Sequence, residues 1–448
     1  MLFKNPPSDW KTASLGEICM NKGGIQTGPF GSQLHSSDYV ETGTPIITVE
    51  HLLSNRISHK NTPKVSDFDK ERLSKYTLRK GDIVFSRVGS VDRRSLVRDE
   101  EIGWLFSGRC LRVRPDKLII DPTYLSYYLG HSKIKNHIRS IAVGATMPSL
   151  NTNLLSGLEV LYPPDIKEQN IISHILGTLD EKIELNKKTN ETLEEIAKAL
   201  FKSWFIDFDP VKAKAEGRST GLPDEISDLF PDSLEESEIG QIPNSWDTKK
   251  ISDWGETVCG KTPSTKNESY YGNDYMFVTI PDLHKGLHIT SSSKGLSKSG
   301  AELQSKKLLS KGSILVSCIA TPGLIGVVQE SCFTNQQINS ITPNNKNCTW
   351  FIAFYLLMNK DLLLSFGGGG SVFFNLNKSK FDSIEILSPP EKIIDKFNQS
   401  VFPLMDKCFA LKREISFLSN IRDALLPKLI SGELRIPDAE KIIEEVGI

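Results

Sequence analysis

Cysteine is scarce in this 448-residue chain: there are seven, an odd number, scattered and never in a CxxC spacing. That pattern indicates neither a disulfide framework nor a zinc site. Long apolar runs are missing as well. The longest, Trp350 to Met358, spans nine residues, less than half of the ~20 that a membrane-crossing helix needs. A basic-then-apolar leader is absent, and Pro6, Pro7 and Asp9 interrupt the N-terminus early. The expected setting is the cytoplasm, with reduced thiols.

Motifs that carry chemistry are absent too. There is no GxxxxGK(S/T) loop to cradle a nucleotide and no GxGxxG opening a helix. Asn5-Pro6-Pro7-Ser8 has the letters of the loop found in amino-methyltransferases, without its aromatic residue. His284 and His288 have the spacing of a metal pair, but Gly286 lies between them and no HExxH glutamate is near. Pro437–Lys441 has the letters of a nuclease acidic cluster without its spacing across two strands, and reads as an exposed tail. Gly367–Gly370 precedes a strand-like segment and reads as hairpin flexibility. With no catalytic constellation left, the chain is expected to bind and position something.

What is present is ordinary in amount and unusual in arrangement. The length fits two or three domains, and the composition, 38% hydrophobic and 24% charged, is that of a soluble globular protein. The net charge of −1 conceals an uneven distribution. Residues 1–164 carry 22 Lys+Arg against 16 Asp+Glu, and residues 241–390 carry 14 against 11. The stretch 207–240 carries 3 against 10. Two mildly basic blocks are therefore joined by an acidic connector.

The two blocks say the same thing twice. "LEVLYPP" from Leu158 returns as "IEILSPP" from Ile384, 226 residues later. "DWKTASLGEI" (Asp9–Ile18) returns as "SWDTKKISDW" (Ser245–Trp254), and "PIITVEHL" (Pro45–Leu52) as "MFVTIPDL" (Met276–Leu283). "KGDIVFS" (Lys80–Ser86) returns as "KGSILVS" (Lys311–Ser317), and "GATMPSLN" (Gly144–Asn151) as "GSVFFNLN" (Gly370–Asn377). A period near half the chain marks two homologous domains, not a solenoid. Short Gly-bounded apolar stretches such as "DIVFS", "LRVRP", "SILVS" and "IGVVQ" predict strands. Thr123–His131 and Trp350–Leu364 predict helices packed on a sheet, so each block reads as a small mixed α/β domain.

After each Pro-Pro the period changes. Leu176, Leu179, Ile183, Asn186, Asn190, Leu193, Ala197 and Leu200 follow 3-4 spacing. Phe397, Val401, Leu404, Cys408, Leu411, Ile415 and Leu418 do the same, with Leu425 further on in that register. These are heptad seams. A helix of that length needs a partner, and the two seams are expected to pair antiparallel in a pseudo-twofold arrangement. Asn186 and Asn190 either fix the register or lie exposed.

The order of these segments resembles the specificity subunits of type I restriction–modification enzymes. The resemblance rests on "GATMPSLN…LEVLYPPDIKEQNIISHILGTLDEKI", "TGPFGSQL" (Thr27–Leu34), "KGDIVFSRVGS" (Lys80–Ser90), "FKSWFIDF" (Phe201–Phe208) and "LLPKLISGELRI" (Leu425–Ile436). It covers almost the whole chain; the second copy departs from it in "PPEKIIDKF", which lacks the "EQ" of the first. The resemblance implies an α+β chain with target-recognition domains at 1–164 and 241–390 and antiparallel coiled-coil spacer helices at 165–206 and 391–430. The connector 207–240 and a tail at 431–448 complete it. It further implies a non-catalytic subunit that reads one half of a bipartite, asymmetric duplex with each domain. Its partners would be two methyltransferase subunits and two restriction–translocase subunits. S-adenosylmethionine, ATP and Mg would sit on those partners, and no cofactor on this chain.

Candidate DNA-contacting residues follow from the loops. "RVGSVDRRSLVR" supplies Arg87, Arg93, Arg94 and Arg98, with Arg109 downstream, and arginine forks suit guanine edges and phosphates. The alternative is a solvated charge cluster. The second copy has "CIATPGLIGVV" there, with no arginine, as two unlike half-sites require. "QTGPFGSQL" offers Gln26, Thr27, Ser32 and Gln33; "CGKTPSTKNESYYG" offers Lys261, Thr262, Ser264, Lys266 and Tyr270. Each is a binding loop or a simple turn. Trp204, Phe205 and Phe208 must bury, either on a methyltransferase subunit or against the end of the second helix. Two other readings exist: the recognition module of a single-chain restriction–methylation enzyme, which the missing motifs disfavour, and a coiled-coil scaffold that binds no DNA.

Overall fold

In a computed structural model of the chain, the structure describes residues 3, 6–144, 146–237, 240–319, 321–367 and 375–445, with the backbone alone for Ser32, Ser36 and 443–445. Asn5 and residues 368–374, which include most of Gly367–Gly370 and the start of the Gly370–Asn377 copy, lie outside the described residues. The chain divides into two compact units, Met1–Ile183 with Phe417–Ile448, and Glu184–Ser416.

The first unit contains β1 (Lys11–Ser14), β2 (Ile25–Thr27), β3 (Ile83–Ser86), β4 (Arg94–Leu96), β5 (Cys110–Val113), the helix α1 (Pro122–Gly130) and β6 (Glu159–Tyr162). The helix α2 (Ile166–Phe205) begins in it. Antiparallel pairing orders the main sheet β2-β5-β3-β4, with Ile83 opposite Val113 and Phe85 opposite Leu111. The β3 and β5 side chains are buried on both faces, which is why Ile83–Phe85 of β3 reads as an unbroken apolar run, whereas β5 also buries Arg112. β1 and β6 form a separate two-stranded clasp, Lys11 facing Tyr162. A second small sheet contains the parallel pair Thr44–Ile47 and Leu105–Phe106.

The second unit repeats this plan with β7 (Asp247–Lys250), β8 (Gly255–Cys259), β9 (Ile314–Ser317), β10 (Ile325–Val328), β11 (Ile338–Pro343), the helix α3 (Thr349–Met358) and β12 (Glu385–Ser388). Its sheet runs β8-β11-β9-β10, with His288–Ile289 added at the edge. β7 and β12 make the clasp, Asp247 facing Ser388. Tyr271–Val278 pairs parallel with Cys332–Thr334, as Thr44–Ile47 does with Leu105–Phe106. The strands predicted from "DIVFS", "LRVRP", "LEVLYPP", "SILVS", "IGVVQ" and "IEILSPP" are present as β3, β5, β6, β9, β10 and β12, and the two units share one sheet order. The strand-like segment after Gly370 lies outside the described residues.

Local chemistry explains where the helices start. Asp121 caps α1 through a hydrogen bond accepted from the Tyr124 N–H, and Pro122 occupies the first turn, where its missing N–H costs nothing. In α3 the nine-residue apolar run is a core helix, with Trp350 to Leu356 buried all round. The second strand of each clasp, β6 or β12, is followed by Pro-Pro, whose rings cannot continue a ladder; α2 and α4 (Glu391–Ser431) follow at once.

These two helices run for 40 and 41 residues. Within the second unit, Ala197, Phe201, Trp204 and Phe205 of α2 share a core with Phe397, Val401, Met405 and Cys408 of α4. As α2 advances from Asn190 to Phe201, its neighbours on α4 retreat from Cys408 to Phe397, so the segments are antiparallel. Within the first unit Arg422 of α4 donates to Asp180 of α2 at 2.8 Å. Asn186 is 4% exposed and its Nδ2 has no partner among the described residues. It is therefore a buried seam position, not an exposed asparagine.

Three expectations change. The acidic connector is folded: helices Asp209–Ala215 and Asp224–Ser227 place Val211 and Phe230 in the core of the second unit. The C-terminal stretch is helical over Ile436–Glu445 with Ala439 fully buried, so Pro437–Lys441 is no free tail. Trp204 and Phe205, offered as docking residues, are buried within their own unit. The Trp204 ring lies 5.2 Å from Phe230 and 6.1 Å from Phe397; Phe205 lies 5.1 Å from Phe397. Phe208 is half-buried against Trp246. Apolar area this large gains more inside a core than on a solvated surface. Phe397 is the common neighbour of the cluster, so Phe397→Ala is expected to lower stability by about 3–5 kcal/mol in urea unfolding of the full chain. A loss under about 1 kcal/mol would contradict this packing.

Candidate nucleic-acid interface

Three loops of the first unit meet beyond the ends of β2, β3 and β5. Gly28 lets two of them touch: a Cβ at this position would lie 2.1 Å from the Ser107 carbonyl oxygen. The Arg87 N–H donates to the Arg109 carbonyl at 2.8 Å, and the Leu150 N–H donates to the Arg87 carbonyl at 2.8 Å. The Arg87 guanidinium lies 5.7 Å from the ring centre of Phe30, which is 60% exposed, and donates to the Gly108 carbonyl at 3.3 Å. Arg93 and Arg109 are exposed, Arg87 half-buried. These groups form one basic surface with an aromatic face beside it, suited to phosphates and base edges.

The other sequence candidates of this unit are engaged elsewhere. Gln26 accepts from Arg112 at 2.7 Å, and Arg112 also donates to the Gly23 carbonyl at 2.6 Å. Gln33 accepts from the Tyr76 hydroxyl at 2.6 Å. Both amides are thus tied into the fold. Thr27 ends β2, half-buried, and the backbone of Ser32 lies in the turn Gly31–Gln33. Arg98 is half-buried, 3.9 Å from Glu181. Arg94 is 4% exposed and its Nε donates to the Ser126 carbonyl at 2.6 Å. Burial pulls the Arg94 guanidinium down to about 10, which leaves it charged at neutral pH. A strand position facing a helix, and not the loop, is what removes Arg94 from the exposed set.

The second unit rebuilds the same scaffold with other side chains. Gly260 takes the place of Gly28: a Cβ there would lie 2.2 Å from the Asn335 carbonyl oxygen. The Cys318 N–H donates to the Gln337 carbonyl at 2.8 Å, and the Leu376 N–H to the Cys318 carbonyl at 3.0 Å. Arg87 thus corresponds to the buried Cys318, and Arg109 to Gln337. Lys261, Ser264 and Lys266 are exposed on the adjoining loop, Tyr270 is half-buried, and Thr262 donates to Gln336 at 2.5 Å. His288 is buried, with its Nδ1 3.1 Å from Glu194 and its ring 4.5 Å from Phe409. It forms no pair with His284. Burial pushes the Glu194 carboxyl up, but hydrogen bonding to His288 and nearby cations hold it below its ordinary value.

Phe30, Gln336 and Gln337 belong to these surfaces and were not singled out from sequence. The signals are there: an aromatic inside a Gly-Pro turn, and "NQQ" after a strand.

The family described as the type I restriction modification DNA specificity domain matches residues 7–195 and 243–416, which are the two copies. The chain belongs to that family. The specificity subunit of the type I restriction enzyme HindI from Haemophilus influenzae is 34% identical, over 95% of this chain and 100% of its own length. The MjaIX specificity subunit from Methanocaldococcus jannaschii is 29% identical, over 70% of this chain and 69% of its own. A crystal structure of the S subunit of a type I restriction–modification system from M. genitalium shares the fold, with a TM-score of 0.64 at 16% identity. It covers 96% of this chain and 98% of that one. A type I specificity subunit is the non-catalytic component of its system. In this specificity subunit no helix among the described residues is long and apolar enough to cross a membrane.

Proposed function

We propose that this specificity subunit reads a bipartite, asymmetric duplex, one half with each unit. The observation that carries the reading is the pair of matched scaffolds with unmatched chemistry. The same backbone hydrogen bonds hold Arg87 and Arg109 in one unit, and Cys318 and Gln337 in the other. Two identical readers would serve a symmetric target; two unlike readers on one chain serve unlike half-sites.

On this reading Arg87, Arg93, Arg109 and Phe30, with Thr27 and Ser32 on the neighbouring turn, face one half of the DNA. Lys261, Thr262, Ser264, Lys266, Tyr270, Gln336 and Gln337 face the other. Gln26, Gln33 and Arg98 act by holding the loops, not by touching bases. α2 and α4 set the unread gap, a role supported by their continuity as helix over 40 and 41 residues. The same helices dock two methyltransferase subunits, which bring two restriction–translocase subunits. Leu185, Ile196 and Phe402, each at least 50% exposed on the helices, supply apolar anchors for that docking. S-adenosylmethionine, ATP and Mg stay on those partners, and the complex works in the cytoplasm.

Exchanging residues 241–390 for the matching block of another such subunit is expected to change one half of the methylated sequence and preserve the other. Mapping methylated sites in cells carrying the exchange is the test; a change in both halves would refute independent reading. Replacing Arg87 and Arg109 together by Ala is expected to weaken duplex binding by the assembled methyltransferase. The slope of log K against log salt should fall by about one for each phosphate that the pair had neutralised. If the arginines touch bases, discrimination in one half relaxes instead. Unchanged affinity and unchanged target choice together would remove this surface from the account.

A further inference from the structure

Beyond DNA reading, the first unit carries a polar cleft of about 350 Å³ lined by Asn55, Arg94, Gly130, Lys135, Asp180 and Arg422, among others. We propose that this cleft binds the phosphate group of a small molecule. Arg94 reaches it from β4. Its Nε is used by the Ser126 carbonyl, but neither terminal nitrogen has a partner among the described residues. The guanidinium rests on Gly130, where a Cβ would lie 1.9 Å from Nη2, so glycine at the end of α1 is what admits it. Asn55, 3% exposed, uses its Oδ1 to accept from the Ser126 hydroxyl, and its buried Nδ2 is unpartnered among the described residues. Donors of two buried residues thus reach the opening without a hydrogen-bond partner among the described residues, a costly arrangement unless an acceptor enters.

The charges agree. Asp180 and Asp423 also line the cleft, but both accept from Arg422, and Tyr127 donates to Asp180 as well. Lys135 lies 4.0 Å from Asp92, an aspartate that Arg139 already holds at 2.7 Å. Arg94, Lys135 and Arg422 thus face the cleft with Asp180 and Asp423, whose oxygens already accept from Arg422 and Tyr127, and Lys135 holds Asp92 only at the 4.0 Å limit of an ion pair. A fork, an amide N–H and an ammonium suit the three terminal oxygens of a phosphate better than the two of a carboxylate. The volume exceeds that of the bare ion and lies in the range of small-ligand pockets.

The second unit supplies the control. Tyr128 of α1 and Tyr355 of α3 are equivalent, each facing its clasp strand at Leu161 and Leu387. In that alignment Ser126, Tyr127 and Gly130 correspond to Ala353, Phe354 and Leu357, and Arg94 on β4 to Ile325 on β10. At these four positions the second unit is therefore folded with apolar residues. The polar version costs desolvation that the fold does not require.

The test is calorimetric titration of inorganic phosphate into the full chain, with ionic strength held constant by chloride. One saturable site per chain is expected, competed by sulfate and weakened about tenfold or more by Arg94→Ile, which copies the second unit. Lys135→Gln, a half-exposed helix substitution, should weaken it too and guards against a folding defect in the first variant. Absence of a saturable site, or equal affinity in both variants, would overturn the proposal. Acetate binding as tightly as phosphate, or one-for-one displacement of phosphate by duplex DNA, would overturn it as well. Tighter binding of a nucleoside monophosphate than of phosphate would support it, placing the attached group in the remaining volume.

Discussion

Two helices of 40 and 41 residues each carry an apolar stripe, and hydrophobic burial of those stripes is the constraint on which the rest depends. Alone in water neither helix would persist, because helical stability at this length comes from the packed face more than from propensity. In each unit a segment of one covers a segment of the other. The aromatic cluster around Phe397 is where this pairing is densest, and the connector 207–240 closes over it with Val211 and Phe230. A clasp strand ending in Pro-Pro hands the chain from sheet to helix in both copies, so domain and helix are bound by covalent continuity and by shared core.

The duplication separates what the fold needs from what function adds. Glycines at 28 and 260 permit the same loop approach, and the clasps pair in the same sense. Positions that differ between copies, Arg87 against Cys318, Arg94 against Ile325, Gly130 against Leu357, are free of that requirement. At 325 and 357 the second copy is folded with an isoleucine and a leucine, so the Arg94 guanidinium and the glycine that admits it are not demanded by the shared scaffold.

Much of this was legible in the sequence because period and punctuation are local signals. The β3, β5, β9 and β10 stretches, the Pro-Pro junctions and both heptad seams follow from alternation, 3-4 spacing and proline chemistry alone. Side-chain direction was not legible. "RVGSVDRRSLVR" reads as one basic loop, yet Arg94 has already entered β4 and points under α1, while Arg93 stays in solvent. The connector looked like a linker because ten carboxylates outweigh Val211 and Phe230 in any compositional count. Trp204 and Phe205 had two outlets consistent with their pattern, and only the fold shows that Phe397 and Phe230 stand close enough to take them.

The central claim is that one chain with two unlike readers specifies an asymmetric, interrupted DNA sequence. Single-molecule sequencing of genomic DNA from cells with the complete system, compared with cells lacking this gene alone, tests it most directly. The account predicts methylation at two different specified blocks separated by an unread gap of fixed length, all of it abolished without this chain. A single uninterrupted motif, a palindromic one, or methylation that persists in its absence would contradict it.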